Sequence, residues 1–447
     1  MFIRRYSPLT TEEMCPITLA ILSYRFKTYD VAEQTEGERD DWAKLLEDMS
    51  REGIDPKYWL QTALAGAAEY YDDQREMFDL FDRVVGQVSR LPKGQFCLEY
   101  VRLIGECSKD YCRKERRAEL FNYIVNAHGG RRLELVPSDV RVLVSQIVQR
   151  AVRNRQGMVL NDPFCGVGSL AFSVAVRNER AFSKLVLQDD SVLQTDMARL
   201  NMHIHGGVHY EVRNEDFLRD GWSPEERYDV ITSMPAWGLR RKVDGVRRHG
   251  QPLRYPEFED LPYDYAIIIR ALESLNEDGV MVLAMPLGVL NQMGIGEDVR
   301  QRIIAHNDLR AVIEMPVNML NSTSVAFTLL VFQHAERQDE VMMVNAKNLF
   351  ERGRRLNTMP YSYVGKIVRT FSTGSDVLGL SRRVSYGELA NNLFNLLPSQ
   401  YVFDTGVERR LLKEKMQELN ELTMEMKRIT REHNDYLRLL GLPELEL

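Results

Sequence analysis

The sequence predicts a doubly wound α/β sheet with a helical domain before it and a helical arm after it. Three observations carry that prediction. From Leu133 to about residue 370, short apolar runs of strand length alternate with helix-period segments. Before them, residues 1–130 carry apolar side chains at three- and four-residue spacing, with few β-branched runs. After Thr405 a charged segment holds two interleaved seven-residue apolar series. The boundaries expected on this basis are 1–130, 131–375 and 376–447.

In the first part, DWAKLLEDMSREG and YYDDQREMFDLFDRVVGQVSRL read as amphipathic helices. CSKDYCRKERRAELFNYIVNAHGG reads as a basic-faced helix stopped by Gly129 and Gly130. In the second part the strands are expected in MVLNDPFCG, KLVLQDD, YDVITSMP, GVMVLAMP, LRAVIEMP and VAFTLLVF. Their near-continuous apolar character fits a parallel sheet covered on both faces. In the third part Leu412, Leu419, Met426, His433 and Leu440 form one heptad series, and Leu422, Ile429 and Tyr436 the other. The stripe reads either as a helix packed on its own protein or as a coiled-coil arm; with no second heptad helix in the chain, a partner is the favoured receiver.

Composition bounds the function. The chain has 447 residues, 44% hydrophobic and 28% charged, which is globular and long enough for more than one domain. Its net charge of -7 (58 Lys+Arg against 65 Asp+Glu) makes it a poor stand-alone nucleic-acid binder. A local basic patch or a partner must then supply any field for DNA. No run approaches the length of a membrane span, and the N-terminus lacks a signal-peptide core, so a cytoplasmic chain with no membrane partner is expected. The five cysteines form no CxxC pair and read as reduced thiols. His203 and His205 lack a third ligand, so no metal is expected, and both read as capping or surface residues.

The strongest local signal is Asp162-Pro163-Phe164-Cys165-Gly166-Val167-Gly168-Ser169, between a strand and a helix. Gly166 and Gly168 allow a sharp turn and close approach of a ligand to the backbone. The next strand ends in Gln188-Asp189-Asp190, where an acid accepts from ribose hydroxyls. A tight β-α turn with capping acids is the plainer account; the pairing of turn and acid favours a nucleotide. The turn is not GxGxxG and nothing nearby suits a pyrophosphate, which favours S-adenosylmethionine over a dinucleotide. Asp162 then suits the ligand's ammonium, and Asp216, after the third strand, its adenine amine.

This order of motifs resembles the N-6 adenine DNA methyltransferase (modification) subunits of type I restriction-modification systems. The family's DPxxGxG loop matches Asp162 to Gly168, its Gln-Glu matches Gln188-Asp189, and its Gly-Asp-(Ser/Thr)-Leu matches Glu215 to Leu218. Met285 to Leu290, Glu314-Met315-Pro316, Ala326 to Phe332 and Leu393 to Tyr401 follow later family elements. The likeness is distinct in the last two-thirds of the chain and vague in the N-terminal helices.

The resemblance implies a Rossmann-like S-adenosylmethionine-dependent methyltransferase sheet and methyl transfer to adenine N-6 in DNA. It places Pro137, Asp162, Pro163, Cys165, Gly166, Gly168, Asp189 and Asp216 at the cofactor, with Cys165 itself reading as a small packing residue. Two departures stand out. The family's catalytic Asn-Pro-Pro-(Phe/Tyr) is here Met234-Pro235-Ala236-Trp237. Methionine offers only a weak sulfur acceptor to the target amine, while Pro235 keeps a backbone carbonyl and Trp237 a stacking face. Ser233 replaces the missing amide only if the turn is shifted. The family's Phe-Tyr-Thr-Pro is here Glu134-Leu135-Val136-Pro137. The rival reading is a subunit of this fold that binds DNA or a partner without turnover; methylation of RNA or a protein amide is a third.

After Trp237 come Arg240, Arg241, Lys242, Arg247 and Arg248 in a short loop, either a solvated surface or a phosphate clamp. The resemblance also implies partners: DNA, a separate specificity subunit gripped by the C-terminal helix, and a restriction subunit or a second methyltransferase subunit.

Overall fold

The computed structural model describes residues 9–35, 40–71, 74–92, 95–130, 133, 135–178, 180–206, 208–219, 226–237, 242–243, 255, 261–333, 339–403 and 406–440. The chain divides into two compact units. One comprises Met1–Val136, Cys165–Phe172 and Leu185–Glu215; the other comprises Pro137–Phe164, Ser173–Lys184 and Asp216–Leu447.

The first unit contains α1 (Thr11–Gln34), α2 (Asp41–Met49), α3 (Pro56–Gly66), α4 (Gln74–Val88), α5 (Gln95–Ser108) and α6 (Lys114–His128). Local chemistry sets their ends. The Thr10 hydroxyl accepts from the Glu13 N–H while the Glu13 carboxylate accepts from the Thr10 N–H, closing a capping box on α1. Asp40 caps α2, and Asp55 caps α3 with Pro56 in the first turn. Gly129 closes α6, as its position in the sequence predicts. The core gathers Met14, Ile17, Ile21, Phe26, Leu64, Phe81, Val101 and Phe121, all buried.

A buried charge ties this core together. Arg117 is enclosed, and its guanidinium donates to both carboxylate oxygens of Asp30 (2.9 and 2.5 Å) and to the Cys112 carbonyl. His205, expected at a cap or the surface, is instead buried, stacked on Phe172 at 4.1 Å and edge-on to Phe121. His203 bonds the Tyr210 hydroxyl.

The second unit opens with α7 (Ser138–Ala151) and β1 (Met158–Asp162). α8 (Ser169–Arg177), β2 (Phe182–Asp189), α9 (Val192–His205) and β3 (Tyr210–Asn214) follow along the chain, α9 and β3 belonging to the first unit. Then come β4 (Tyr228–Ser233), the short pair β5 (Lys242–Val243) and β6 (Leu261–Pro262), α10 (Tyr263–Glu273) and β7 (Leu275–Pro286). After these the chain forms α11 (Ile295–Ala305), β8 (Leu309–Glu314), β9 (Phe327–Gln333), β10 (Glu340–Asn345), α12 (Tyr361–Thr373), β11 (Ser381–Ser385), α13 (Tyr386–Asn391) and α14 (Gly406–Leu439).

Nine strands form one sheet in the order β11-β10-β8-β9-β7-β4-β1-β2-β3, mixed rather than wholly parallel. β9 runs antiparallel between β7 and β8, and β11 antiparallel on the edge beside β10. All six strands predicted from apolar runs are present. β11 lies inside the segment expected to form only an arm, so the arm proper is the helix α14. Among the described residues no helix is long and apolar enough to cross a membrane, and all five cysteines are free.

Asp30→Ala leaves the Arg117 guanidinium buried without a counter-charge and should lower stability by about 3 kcal/mol. Arg117→Met in the same background should restore most of the loss, read by urea denaturation of the full chain.

Candidate active site

Strand order decides where the chemistry lies. β1 and β4 are parallel neighbours, with Leu160 opposite Val230 and Asn161 opposite Ile231. The order reverses between them, since β2 and β3 follow β1 on one side and β7 follows β4 on the other. In open α/β sheets ligands bind at the carboxyl ends of strands at such a reversal.

Asp162 ends β1 and is buried, and Ser233 ends β4 and is buried as well. The Ser233 hydroxyl donates to Asp162 Oδ1 at 2.6 Å, and the Phe164 N–H reaches the same oxygen at 3.3 Å. The single proton of the Ser233 hydroxyl therefore goes to the acid. Beyond Ser233 the chain leaves the sheet through Met234 (half-buried), Pro235 (buried), Ala236 (exposed) and Trp237 (half-buried). The Trp237 indole N–H donates to the Ala284 carbonyl of β7 at 3.0 Å, and its ring lies 5.5 Å from Phe327. The turn is thereby pinned to two further strands.

Pro163, directly after β1, is buried, and Pro137, half-buried, occupies the N-cap of α7. Asp216 folds on itself, its carboxylate accepting from the Leu218 N–H at 2.9 Å. Next to it Phe217 is buried, edge-on to Phe164 at 5.7 Å and under the Arg270 guanidinium at 5.5 Å. Burial pulls the Arg270 pKa down, against the opposing pull of Tyr228 and Asp216. Sequence reasoning missed Phe164, Phe217 and Arg270; an aromatic one or two residues after each of the acids Asp162 and Asp216 was the available signal.

The glycine turn is built within the other unit. Gly166 (φ 54°) and Gly168 (φ 75°) both adopt left-handed backbone, which a side chain would strain. A Cβ on Gly168 would also press Leu187 and Met202 at 3.4 Å, whereas one on Gly166 would meet only Gln194 at 3.8 Å. Gly166 thus faces room for a ligand and Gly168 packs inward. Cys165 is buried, its N–H bonded to the Gln188 carbonyl at 2.8 Å, a packing role. Asp189 accepts from the Gly166 N–H and the Ser191 N–H, both at 3.0 Å, one on each oxygen. Each oxygen keeps a lone pair for a hydroxyl donor. Burial pushes the Asp189 carboxyl above the usual range, and its two backbone donors draw it partly back.

The family model for N-6 DNA methylases matches residues 134–409. The chain belongs to the N-6 DNA methylase family. A type I restriction enzyme MpnII methylase subunit of Mycoplasma pneumoniae is 23% identical over 58% of this chain and 51% of its own length. The chain thus spans about half the length of that relative. The MjaVII methylase subunit of Methanocaldococcus jannaschii is 22% identical over 91% of this chain and 73% of its own. Among solved structures, the type I restriction-modification methyltransferase subunit of Streptococcus thermophilus superposes with a TM-score of 0.70 at 18% identity. That match covers 89% of this chain and 96% of the other, and it shows a common fold. Membership of this N-6 methylase family implies S-adenosylmethionine as cofactor. The loop cations Arg240, Arg241, Arg247 and Arg248 lie outside the described residues, and Lys242 is described only as backbone of β5.

Affinity for S-adenosylhomocysteine should fall as pH drops through the raised Asp189 pKa, at a higher pH than for an aspartate titrating at 3.8. The ionised form accepts the ribose hydroxyls, so protonation removes the acceptor. Asp189→Asn should be flat over that acid range and bind more weakly at neutral pH by ~1.5–3 kcal/mol. Calorimetry across pH checks both limbs.

Proposed function

We propose that this chain transfers the methyl group of S-adenosylmethionine to the N-6 amine of adenine in DNA, as the modification subunit of a type I restriction-modification-like complex. The observation that carries the reading is the switch point itself. A buried acid ends β1, and a rigid Pro-containing turn with an aromatic ring leaves β4 beside it. The cofactor supplies an electrophilic methyl group when bound.

Asp162, Gly166, Gly168 and Asp189 hold the cofactor, with Pro137, Pro163 and Cys165 lining it and Asp216 at its adenine. Their fit rests on open space over Gly166 and on an Asp189 carboxylate already oriented by two N–H donors. Trp237 stacks the flipped base. The amine of adenine is a poor nucleophile because its lone pair spreads into the ring, so acceptors on its N–H groups matter. Met234 supplies none of note, which leaves the Pro235 carbonyl to orient the amine. The cations Arg240, Arg241, Lys242, Arg247 and Arg248 grip DNA phosphates, a reading that rests on their sequence positions beside the turn.

The organisation proposed is a helical domain over 1–130, a methyltransferase domain over 131–375 and a partner-binding region over 376–447, whose arm is α14. Along that helix Met416, Asn420, Thr423, Lys427, Thr430, Asn434 and Leu437 are half-buried. This mostly polar line meets the rest of the unit through Asn420 to the Asn391 carbonyl and Lys427 to Glu297. The apolar heptad stripe lies beside it and stays in solvent, with Leu422 59%, Ile429 53% and Tyr436 67% exposed. Internal packing does not account for that stripe. A specificity subunit is its proposed occupant, with a restriction subunit or a second methyltransferase subunit completing the assembly.

Met234→Asn should raise the single-turnover rate on duplex DNA, by up to ~10²-fold for an oriented polar contact, without changing cofactor affinity. Trp237→Ala should lower it in either background. No methylation by either form, with cofactor and DNA bound, would leave a binding subunit in place of an enzyme. Truncation after Asp404 should leave the sheet folded, because no strand lies beyond Ser385 among the described residues, and should abolish co-purification with a specificity subunit.

A further inference from the structure

At the amino ends of β1 and β2, far from the strand ends that carry the site, the second unit holds a cleft of about 480 Å³. Its lining includes Arg153, Arg155, Arg177 and Arg180, the amides Gln149, Asn154, Gln156 and Asn178, and, among the described residues, no carboxylate. Arg155 is committed locally, donating to the Asp278 carbonyl at 2.6 Å and to Asp229 at 3.2 Å. The side chains of Arg153, Arg177 and Arg180 are exposed and pair with no other described residue. Exposed arginines elsewhere do find acids, as Arg51, Arg90 and Arg102 do. In a chain with a net charge of -7, a concave patch that gathers four arginines without a described acid in its lining stands apart.

The helix ends nearby do not account for it. α7 and α8 both finish here, and a cation near a helix C-terminus is favourable. Their last carbonyls, however, are met by neutral groups. The Val152 N–H caps α7 at Val148, the Asn178 side chain donates to the Val174 carbonyl, and Gln149 donates to the Arg177 carbonyl. The side chains of Arg153, Arg177 and Arg180 are left exposed.

We propose that this cleft binds the phosphate backbone of nucleic acid without regard to sequence, as a second DNA contact remote from methyl transfer. Guanidinium forks match phosphate oxygens two at a time, and flanking amides add neutral donors of the kind that contact nucleic-acid backbones. Concave walls of one charge sign concentrate the positive field. β1 sets the separation: five residues place the cleft roughly 15 Å from Asp162, too far to touch a base flipped at the other end. The proposal rests on the reading that the chain works on DNA and is independent of turnover.

The test compares the full-length chain with R153Q/R177Q/R180Q, titrated against a random-sequence duplex by fluorescence anisotropy between 50 and 200 mM salt, about the range over which phosphate binding is resolved, with no cofactor present. The slope of log K against log salt should become shallower by about 2–3, near 0.9 for each phosphate that the variant no longer neutralises. Affinity at the low-salt end should fall by about tenfold or more, with the melting temperature unchanged. Three results would overturn the proposal: no duplex binding by the wild type, an unchanged slope, or a loss confined to the melting temperature. Binding of poly-glutamate that the variant loses, with duplex binding intact, would assign the cleft to an acidic protein segment instead. A variant that loses salt slope in a chain that never methylates would sustain this site and sink only the catalytic reading.

Discussion

The Ser233 hydroxyl reaching Asp162 across the β1–β4 pair is the contact on which the site depends. A carboxylate buried at the switch point without donors would cost several kcal/mol or take up a proton. Ser233 and the Phe164 N–H meet that demand. The bond forms only if β1 and β4 hold their register, which Leu160 opposite Val230 and Asn161 opposite Ile231 fix. Once it is made, Pro163 on one strand and Met234 on the next leave the sheet at the same edge. Trp237 then anchors the second turn to β7 and packs on Phe327 of β9. Both turns are thus held by contacts, the first at Asp162 and the second at β7 and β9.

These contacts bear on the catalytic role proposed for the turn from Met234 to Trp237. The one proton of the Ser233 hydroxyl is engaged by Asp162. The turn keeps its proline, its backbone carbonyl and its aromatic ring, and it loses one side-chain amide. On the proposed methyl-transfer reading, which depends on positioning, the retained scaffold and the missing acceptor act in opposite directions on the same barrier.

Much of this was legible in the sequence for physical reasons. Strands buried on both faces leave continuous apolar runs, and β1, β2, β4, β7, β8 and β9 all announce themselves that way. β10 is Met-rich and β11, on the sheet edge, holds two adjacent arginines and a single apolar residue, so neither carried the signal. Gly166, Gly168 and Asp189 were readable because a turn and an acid at fixed spacing are local features. The bond between Ser233 and Asp162 was not, since it joins residues 71 positions apart. The arginine cleft was hidden for the same reason: its cations come from the loop after α7 and from the end of α8 and the loop after it, which only the fold brings together. Heptad spacing showed the stripe on α14, but only the half-buried polar line beside it shows which face is left open.

The most direct test of the account is calorimetric titration of S-adenosylhomocysteine into the full chain, alongside Asp162→Ala. One binding event per chain, lost in the variant while its circular dichroism and melting remain those of a folded protein, is the predicted result. A wild type that releases no binding heat, or a folded Asp162→Ala that binds as tightly as the wild type, would contradict the placement of the cofactor at the β1–β4 switch point.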